Sequence, residues 1–231
     1  MAEQIPLDFE FTTNQTFNNF FSHQEIITHI QQCINGPGEQ QIFLWGLPGL
    51  GKTHLLQACC HQAQTLNLSS FYFDLLKAST IDPSMMLDGL DECTVVCFDN
   101  LEAIAGQVQW EQAFFNFFNR HRERGHKLLL SAHSLPNDLG IQLPDLKTRL
   151  NWGLTLKLQP LSDEDTITAL TLKARQMGFE ITPKIGRFLL THYHRDAAAL
   201  WALLEKLDKA SLAAKRKLTL PFLKQILNNH D

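Results

Sequence analysis

The sequence predicts an α/β fold, a five-stranded parallel sheet sandwiched by helices and followed by a small all-helical subdomain. Three observations carry that prediction. Short apolar runs alternate with helix-period segments through the first part of the chain, a glycine-rich GxxxxGK[ST] loop joins one such run to the next helix, and beyond Pro160 only helical signatures remain. Most of the runs are apolar on both faces, which suits parallel strands covered from both sides.

Taken in order, the strands are read at Gln41–Trp45, Ser70–Asp74, Thr94–Asp99, Lys127–Ala132 and Leu154–Leu158. Between them, Lys52–Leu66 places Leu55, Leu56, Cys59 and Ala63 at helical spacing, and Gln109–Arg124 does the same with Trp110, Phe114, Phe117 and Phe118. After Pro160, Ser162 is an N-cap with Asp163, Glu164 and Asp165 in the first turn, and that helix stops near Gly178. Further helices are expected from Thr182-Pro183, near Asp196 and around Pro221. The organisation expected is a tail over 1–14, an α/β domain over 15–160 and a helical lid over 161–231.

The loop Gly46-Leu47-Pro48-Gly49-Leu50-Gly51-Lys52-Thr53 gives each residue type a physical task. Glycines let backbone N–H groups wrap phosphates, Lys52 neutralises their charge, and Thr53 offers a hydroxyl to Mg²⁺. The apolar run ending in Asp99 sets a carboxylate at the C-terminal edge of a neighbouring strand, where it can hold Mg²⁺ or its waters. Asn100 follows where a water-orienting carboxylate often stands, and an amide cannot take a proton. Glu102 could substitute if the strand end turns; an exposed helix-start Glu is the alternative.

The bulk numbers fit a soluble globular protein: 231 residues, 44% apolar and 19% charged, net charge −4. Met1–Phe11 has neither a basic start nor an apolar run, and no stretch reaches the roughly 18 apolar residues of a membrane helix, so a cytoplasmic protein is expected. Cys33, Cys59, Cys60, Cys93 and Cys97 lie in apolar segments without CxxC spacing and read as buried thiols. His54 and His61 near Cys59 and Cys60 read as helix residues, not as a metal site. Residues 162–231 carry 11 basic and 8 acidic groups (+3), against 9 and 16 (−7) before them. No strong direct DNA binding is expected from that balance; Arg120, Arg122, Arg124 and Lys215, Arg216, Lys217 read as solvated helix ends, with phosphate contacts as the alternative.

With strand, loop, acid and helical lid in place, the chain resembles AAA+ modules of the DnaA branch, most closely the Hda group of DnaA-related regulators. The segments that carry the resemblance are Thr16–Phe20, Phe98–Gly106, Leu143–Gly153, Leu158–Asp165 and Lys215–Phe222. The resemblance implies a bound nucleotide, ADP or ATP, with Mg²⁺ on Thr53 and Asp99. It implies that Arg149 is an arginine finger reaching the terminal phosphate of ATP in a neighbouring DnaA, a task that suits an always-charged, forked guanidinium. The start Gln4-Ile-Pro-Leu7-Asp-Phe9 is similar to the peptide by which replication proteins dock on the DNA polymerase III β sliding clamp, with Gln4 on a pocket rim and Leu7 and Phe9 in an apolar slot. A tail tucked on its own domain is the alternative.

Two positions depart from the family pattern. His133 stands where relatives have an acidic residue after the fourth strand, and Ala198 stands at the lid arginine position, with Arg195 almost one turn earlier as the candidate to reach the nucleotide phosphates in its place; a solvated Arg is the alternative. The resemblance implies a negative regulator of replication initiation whose partners are DnaA and the clamp, and Asn100, His133 and Ala198 lead to the expectation that its own ATP hydrolysis is weak. Self-association stays open. The rivals are a self-sufficient ATPase of helicase-loader type and a clamp-bound scaffold whose nucleotide site has decayed.

Overall fold

The computed structural model describes residues 15–20, 23–192, 197–214, 219–221 and 223–224. In chain order its elements are α1 (Gln24–Asn35), β1 (Gln41–Trp45), α2 (Lys52–Thr65), β2 (Ser70–Asp74), α3 (Pro83–Leu87), β3 (Val95–Asp99), α4 (Val108–Glu123), β4 (Lys127–Ala132), α5 (Pro144–Leu150), β5 (Leu154–Lys157), α6 (Asp163–Gln176), α7 (Pro183–His192) and α8 (Ala197–Ala214). The chain divides into two compact units: a larger one that includes Gln24–Pro48 and Lys52–Leu158, and a smaller one that includes Gln159 onward.

In the larger unit the five strands form one sheet in the order β2-β3-β4-β1-β5, and every pairing is parallel. The central strands are closed to water on both faces: β3 is buried throughout and β1 at four of its five positions. The stripe Trp110, Phe114, Phe117 and Phe118 on α4 is buried against this sheet, and Phe98 of β3 meets Phe114 and Phe117 edge-on at 5.1 and 5.6 Å between ring centres. Such aromatic pairs add to the area they bury and fix α4 over β3.

Two strands are one residue shorter than the sequence implies, starting at Val95 and ending at Lys157. The short helices α3 and α5 have no periodic signal in the sequence: each opens with a proline, Pro83 and Pro144, at its first turn and buries only two or three side chains. All five cysteines are free, and burial pushes the Cys33 thiol up to about 12.

The smaller unit is helical among the described residues. Ser162 caps α6 by accepting a hydrogen bond from the Asp165 backbone N–H, as the sequence implies. Leu170, Ala174, Ile185, Leu189, Leu204 and Leu207 form its core with Leu223. Gly186 of α7 lies so close to Ile167 of α6 that an added Cβ would sit 2.9 Å from the Ile167 side chain, which explains a glycine inside a helix.

Candidate phosphate-binding site

The loop between β1 and α2 has three glycines at positive φ, Gly46 at 151°, Gly49 at 80° and Gly51 at 90°, a backbone that residues with a Cβ rarely adopt. Gly46 follows the last residue of β1, and its N–H donates to the Ala132 carbonyl at the end of β4. Lys52 opens α2 with its side chain buried, and its ammonium donates to the carbonyls of Gly46 at 2.6 Å and Leu47 at 3.0 Å. Burial lowers the Lys52 pKa, and the negative charges of Glu102 and Asp99 oppose that shift.

Asp99, at the C-terminal end of β3, is 1% exposed and accepts three hydroxyls. Thr53 donates to Oδ2 at 2.6 Å, Tyr72 donates to the same oxygen at 3.0 Å, and Ser131 of β4 donates to Oδ1. Burial pushes the Tyr72 phenol up, and the Asp99 charge adds to it, so Tyr72 stays a donor. The hydroxyl of Thr53 and the carboxylate of Asp99 form a hard-oxygen pair that fits Mg²⁺, which is held by one or two protein oxygens together with phosphate and water. No cluster of three or more His, Cys, Asp or Glu suited to a metal occurs among the described residues, so a site with more acidic ligands is not formed there.

The strand end does turn. Asn100 is left-handed at φ 59°, its side chain donates to Asp74 at 2.8 Å, and its backbone N–H donates to Ser131 Oγ at 3.2 Å. The amide of Asn100 thus ties the ends of β2, β3 and β4 together. Glu102 follows on a short 3-10 turn and pairs with His133: one carboxylate oxygen lies 3.0 Å from Nδ1 and the other accepts the His133 backbone N–H at 3.3 Å.

Arg149 stands elsewhere on the sheet. It lies in the last turn of α5, whose Leu150 carbonyl accepts from the Gln41 side chain at 3.1 Å, so this helix end is tied to the first residue of β1. The phosphate loop leaves β1 at its other end. Five residues of strand separate the two, roughly 13 Å of rise. The Arg149 guanidinium stacks on Trp152 at 3.9 Å from the ring centre.

The structure therefore brings together Gly46, Lys52, Thr53 and Asp99, and holds Arg149 apart from them. Gln4, Leu7, Phe9 and Arg195 lie outside the described residues, as does the side chain of Ala198. The segment around Thr16 packs on α2, where the His54 ring donates to the Thr16 carbonyl at 2.9 Å and Phe20 lies against the same ring. Sequence reasoning missed Tyr72, Ser131 and Trp152. Ser131 left a signal, a hydroxyl inside the apolar run Leu128–Ala132; Tyr72 and Trp152 left none that distinguishes them from core aromatics.

Residues 11–157 match the family model of the bacterial DnaA ATPase domain, and residues 163–227 match that of the Hda lid domain. Among solved structures, domain III of the replication initiation protein DnaA from Thermotoga maritima is similar at 20% identity over 94% of this chain and 97% of that one, with a TM-score of 0.72. AMPPCP-bound DnaA from Aquifex aeolicus is similar at 19% identity over 86% of this chain and 66% of that one, with a TM-score of 0.74. The RuvB Holliday junction branch migration motor of Thermotoga maritima is similar at 15% identity over 95% of this chain and 73% of that one, with a TM-score of 0.70. This chain spans about two thirds of the Aquifex protein.

Proposed function

The chain belongs to the DnaA-related AAA+ family, its α/β part to the bacterial DnaA ATPase domains and its lid to the Hda group, and from that premise we propose that it is a negative regulator of chromosomal replication initiation. In this reading Gly46–Thr53 and Asp99 hold ADP or ATP with Mg²⁺, and Arg149 is supplied in trans to ATP bound by DnaA. The segment Gln4, Leu7 and Phe9 docks the protein on the DNA polymerase III β sliding clamp in the cytoplasm. Mg²⁺, when bound, neutralises charge on phosphate oxygens.

The observation that supports this reading best is the separation of Arg149 from the phosphate loop across the length of β1. A guanidinium at the far edge of the sheet cannot serve its own loop, and it suits the nucleotide of a neighbouring molecule. Arginine fingers of this kind accelerate hydrolysis by roughly 10³ to 10⁵. Weak hydrolysis by the protein itself is part of the proposal, because Asn100 cannot accept a proton and is already bonded to Asp74.

The test adds clamp loaded on DNA to DnaA–ATP together with this protein, then repeats the assay with Arg149→Ala and with Gln4→Ala. Both variants are expected to lose the stimulated hydrolysis. Unchanged hydrolysis by DnaA in every mixture would end the regulatory reading.

One observation favours a second reading, a self-sufficient ATPase of helicase-loader type. Glu102 is a carboxylate within electrostatic reach of Lys52 and paired with His133, a group able to orient water in the place of Asn100. Rapid ATP turnover by the isolated protein, lost in Glu102→Gln and stimulated by single-stranded DNA, distinguishes it.

A further inference from the structure

Trp152 carries two cations. The guanidinium carbon of Arg122 lies 3.8 Å from the centre of the indole and that of Arg149 lies 3.9 Å from it. Two carbons so close to one ring centre must stand on opposite faces, since on one face they would overlap. Three elements converge on the ring: the last turn of α4, the last turn of α5 and the entrance to β5.

The indole is itself held. Phe118 meets it edge-on at 6.2 Å, and its backbone N–H donates to the Arg149 carbonyl at 3.1 Å. The next residue, Gly153, is at φ 73° and so near β1 that an added Cβ would lie 2.4 Å from the Gln41 carbonyl oxygen. On the Arg122 side, the Gln40 side chain donates to the Arg122 carbonyl at 2.7 Å.

The two arginines differ from their neighbours in charge pairing. Arg120 and Arg124, from the same end of α4, both reach Asp91, whereas no carboxylate pairs with Arg122 or Arg149 among the described residues. Arg149 Nε is buried and has no hydrogen-bond partner among them. A buried donor left unbonded is unfavourable, and two cations facing each other across a ring of low polarity repel. An anionic oxygen brought to the Arg149 guanidinium offsets that repulsion.

We propose that Trp152 is a positioning residue for Arg149, holding the guanidinium flat and ready to donate to a partner's phosphate, with Arg122 completing the mount on the opposite face. This rests on the reading that Arg149 acts on nucleotide bound by DnaA. Stacking removes the freedom of a long side chain before the partner arrives, so orientation is not lost at the moment of reaction.

The experiment titrates the full chain into DnaA–ATP with clamp loaded on DNA and reads maximal rate and half-saturating concentration separately. Trp152→Leu is expected to lower the maximal rate about tenfold with half-saturation within about threefold, and Trp152→Phe, which keeps a ring face, to restore most of it. Arg122→Ala, which leaves the indole in place, is expected to lower the maximal rate about threefold at unchanged thermal midpoint, and it decides the matter if Trp152→Leu does not fold. Equal losses in Trp152→Leu and Trp152→Phe, a change in half-saturation alone, or a wild-type maximal rate in Arg122→Ala overturns the proposal. A wild-type rate in Arg149→Ala instead removes the reading on which it rests.

Discussion

Thr53 Oγ1 lies 2.6 Å from Asp99 Oδ2, so the first turn of α2 and the end of β3 are joined by one short hydrogen bond between the two residues that suit Mg²⁺. The same carboxylate also accepts from Tyr72 and Ser131, which makes it the meeting point of β2, β3, β4 and α2. Removing one hydroxyl leaves the others in place, so Tyr72→Phe and Ser131→Ala are each expected to cost about 1 kcal/mol in urea unfolding. Asp99→Asn is expected to be worse for Mg²⁺-dependent nucleotide affinity than for stability, because an amide still accepts from a hydroxyl through its carbonyl but no longer carries charge. Calorimetric titration of nucleotide with and without Mg²⁺ checks this, and equal losses in both conditions would refute it.

Acid is expected to destabilise the α/β unit through His121. The ring is buried on α4 and donates to the Cys93 carbonyl at 3.0 Å. Burial lowers its pKa to about 4, with His126 adding to the shift while the Cys93 hydrogen bond and Asp91 oppose it. Between that value and the ordinary 6.5 the unfolded chain binds a proton that the folded chain does not, so stability falls as pH falls through this window. The full effect is about 3 kcal/mol, reached near pH 4 and absent above about pH 7. Burial would raise the Asp91 carboxyl, but hydrogen bonds and charges from Arg120 and Arg124 outweigh it and hold it below its ordinary value, so its loss comes at lower pH. Urea unfolding from pH 7 to pH 4.5 should therefore show a slope in the native chain that flattens in His121→Phe.

Gly153 is the point where the entrance to β5 presses on β1. A methyl group there meets the Gln41 backbone, which cannot swing aside as a side chain end could, and the φ of 73° disfavours it independently. Gly153→Ala is expected to cost roughly 2 to 4 kcal/mol, measured by thermal unfolding. Because Trp152 precedes it, the same variant should also lose stimulation of the partner before it loses its fold.

Much of the fold was legible because its signals are local. Three of the five strands match residue for residue the runs that predict them: β1 and β4 because parallel strands covered on both faces are rich in apolar residues, and the edge strand β2 because Phe71, Tyr72 and Phe73 favour extended backbone. The phosphate loop was equally plain, with its glycines, Lys52 and Thr53 contiguous. The companions of Asp99 were not, because Tyr72 and Ser131 come from strands 27 and 32 residues away and meet it only through the sheet register. Trp152 between Arg122 and Arg149 depends in the same way on the end of α4 reaching the end of α5. Helix α5 is not legible because seven residues with two buried leucines show no period to count.

Glu111 sets the approach to that helix. Its carboxylate is 1% exposed on α4, and it accepts the backbone N–H groups of Gly106 at 2.6 Å, Gln142 at 3.0 Å and Leu143 at 2.7 Å. Leu143 is the residue from which α5 starts, so one buried charge fixes the loop that aims Arg149. Glu111→Ala leaves the backbone N–H groups of Gly106, Gln142 and Leu143 without this acceptor and is expected to cost about 2 to 3 kcal/mol. Glu111→Gln keeps one acceptor oxygen but turns an NH₂ group toward N–H donors, and should cost about 2 kcal/mol. If the carboxylate serves the loop, hydrogen exchange in Glu111→Gln will quicken first at residues 142–146 while β1 and β4 stay protected, and stimulated hydrolysis will fall with it. Uniformly faster exchange across the sheet would make Glu111 a support of the whole unit and not of α5.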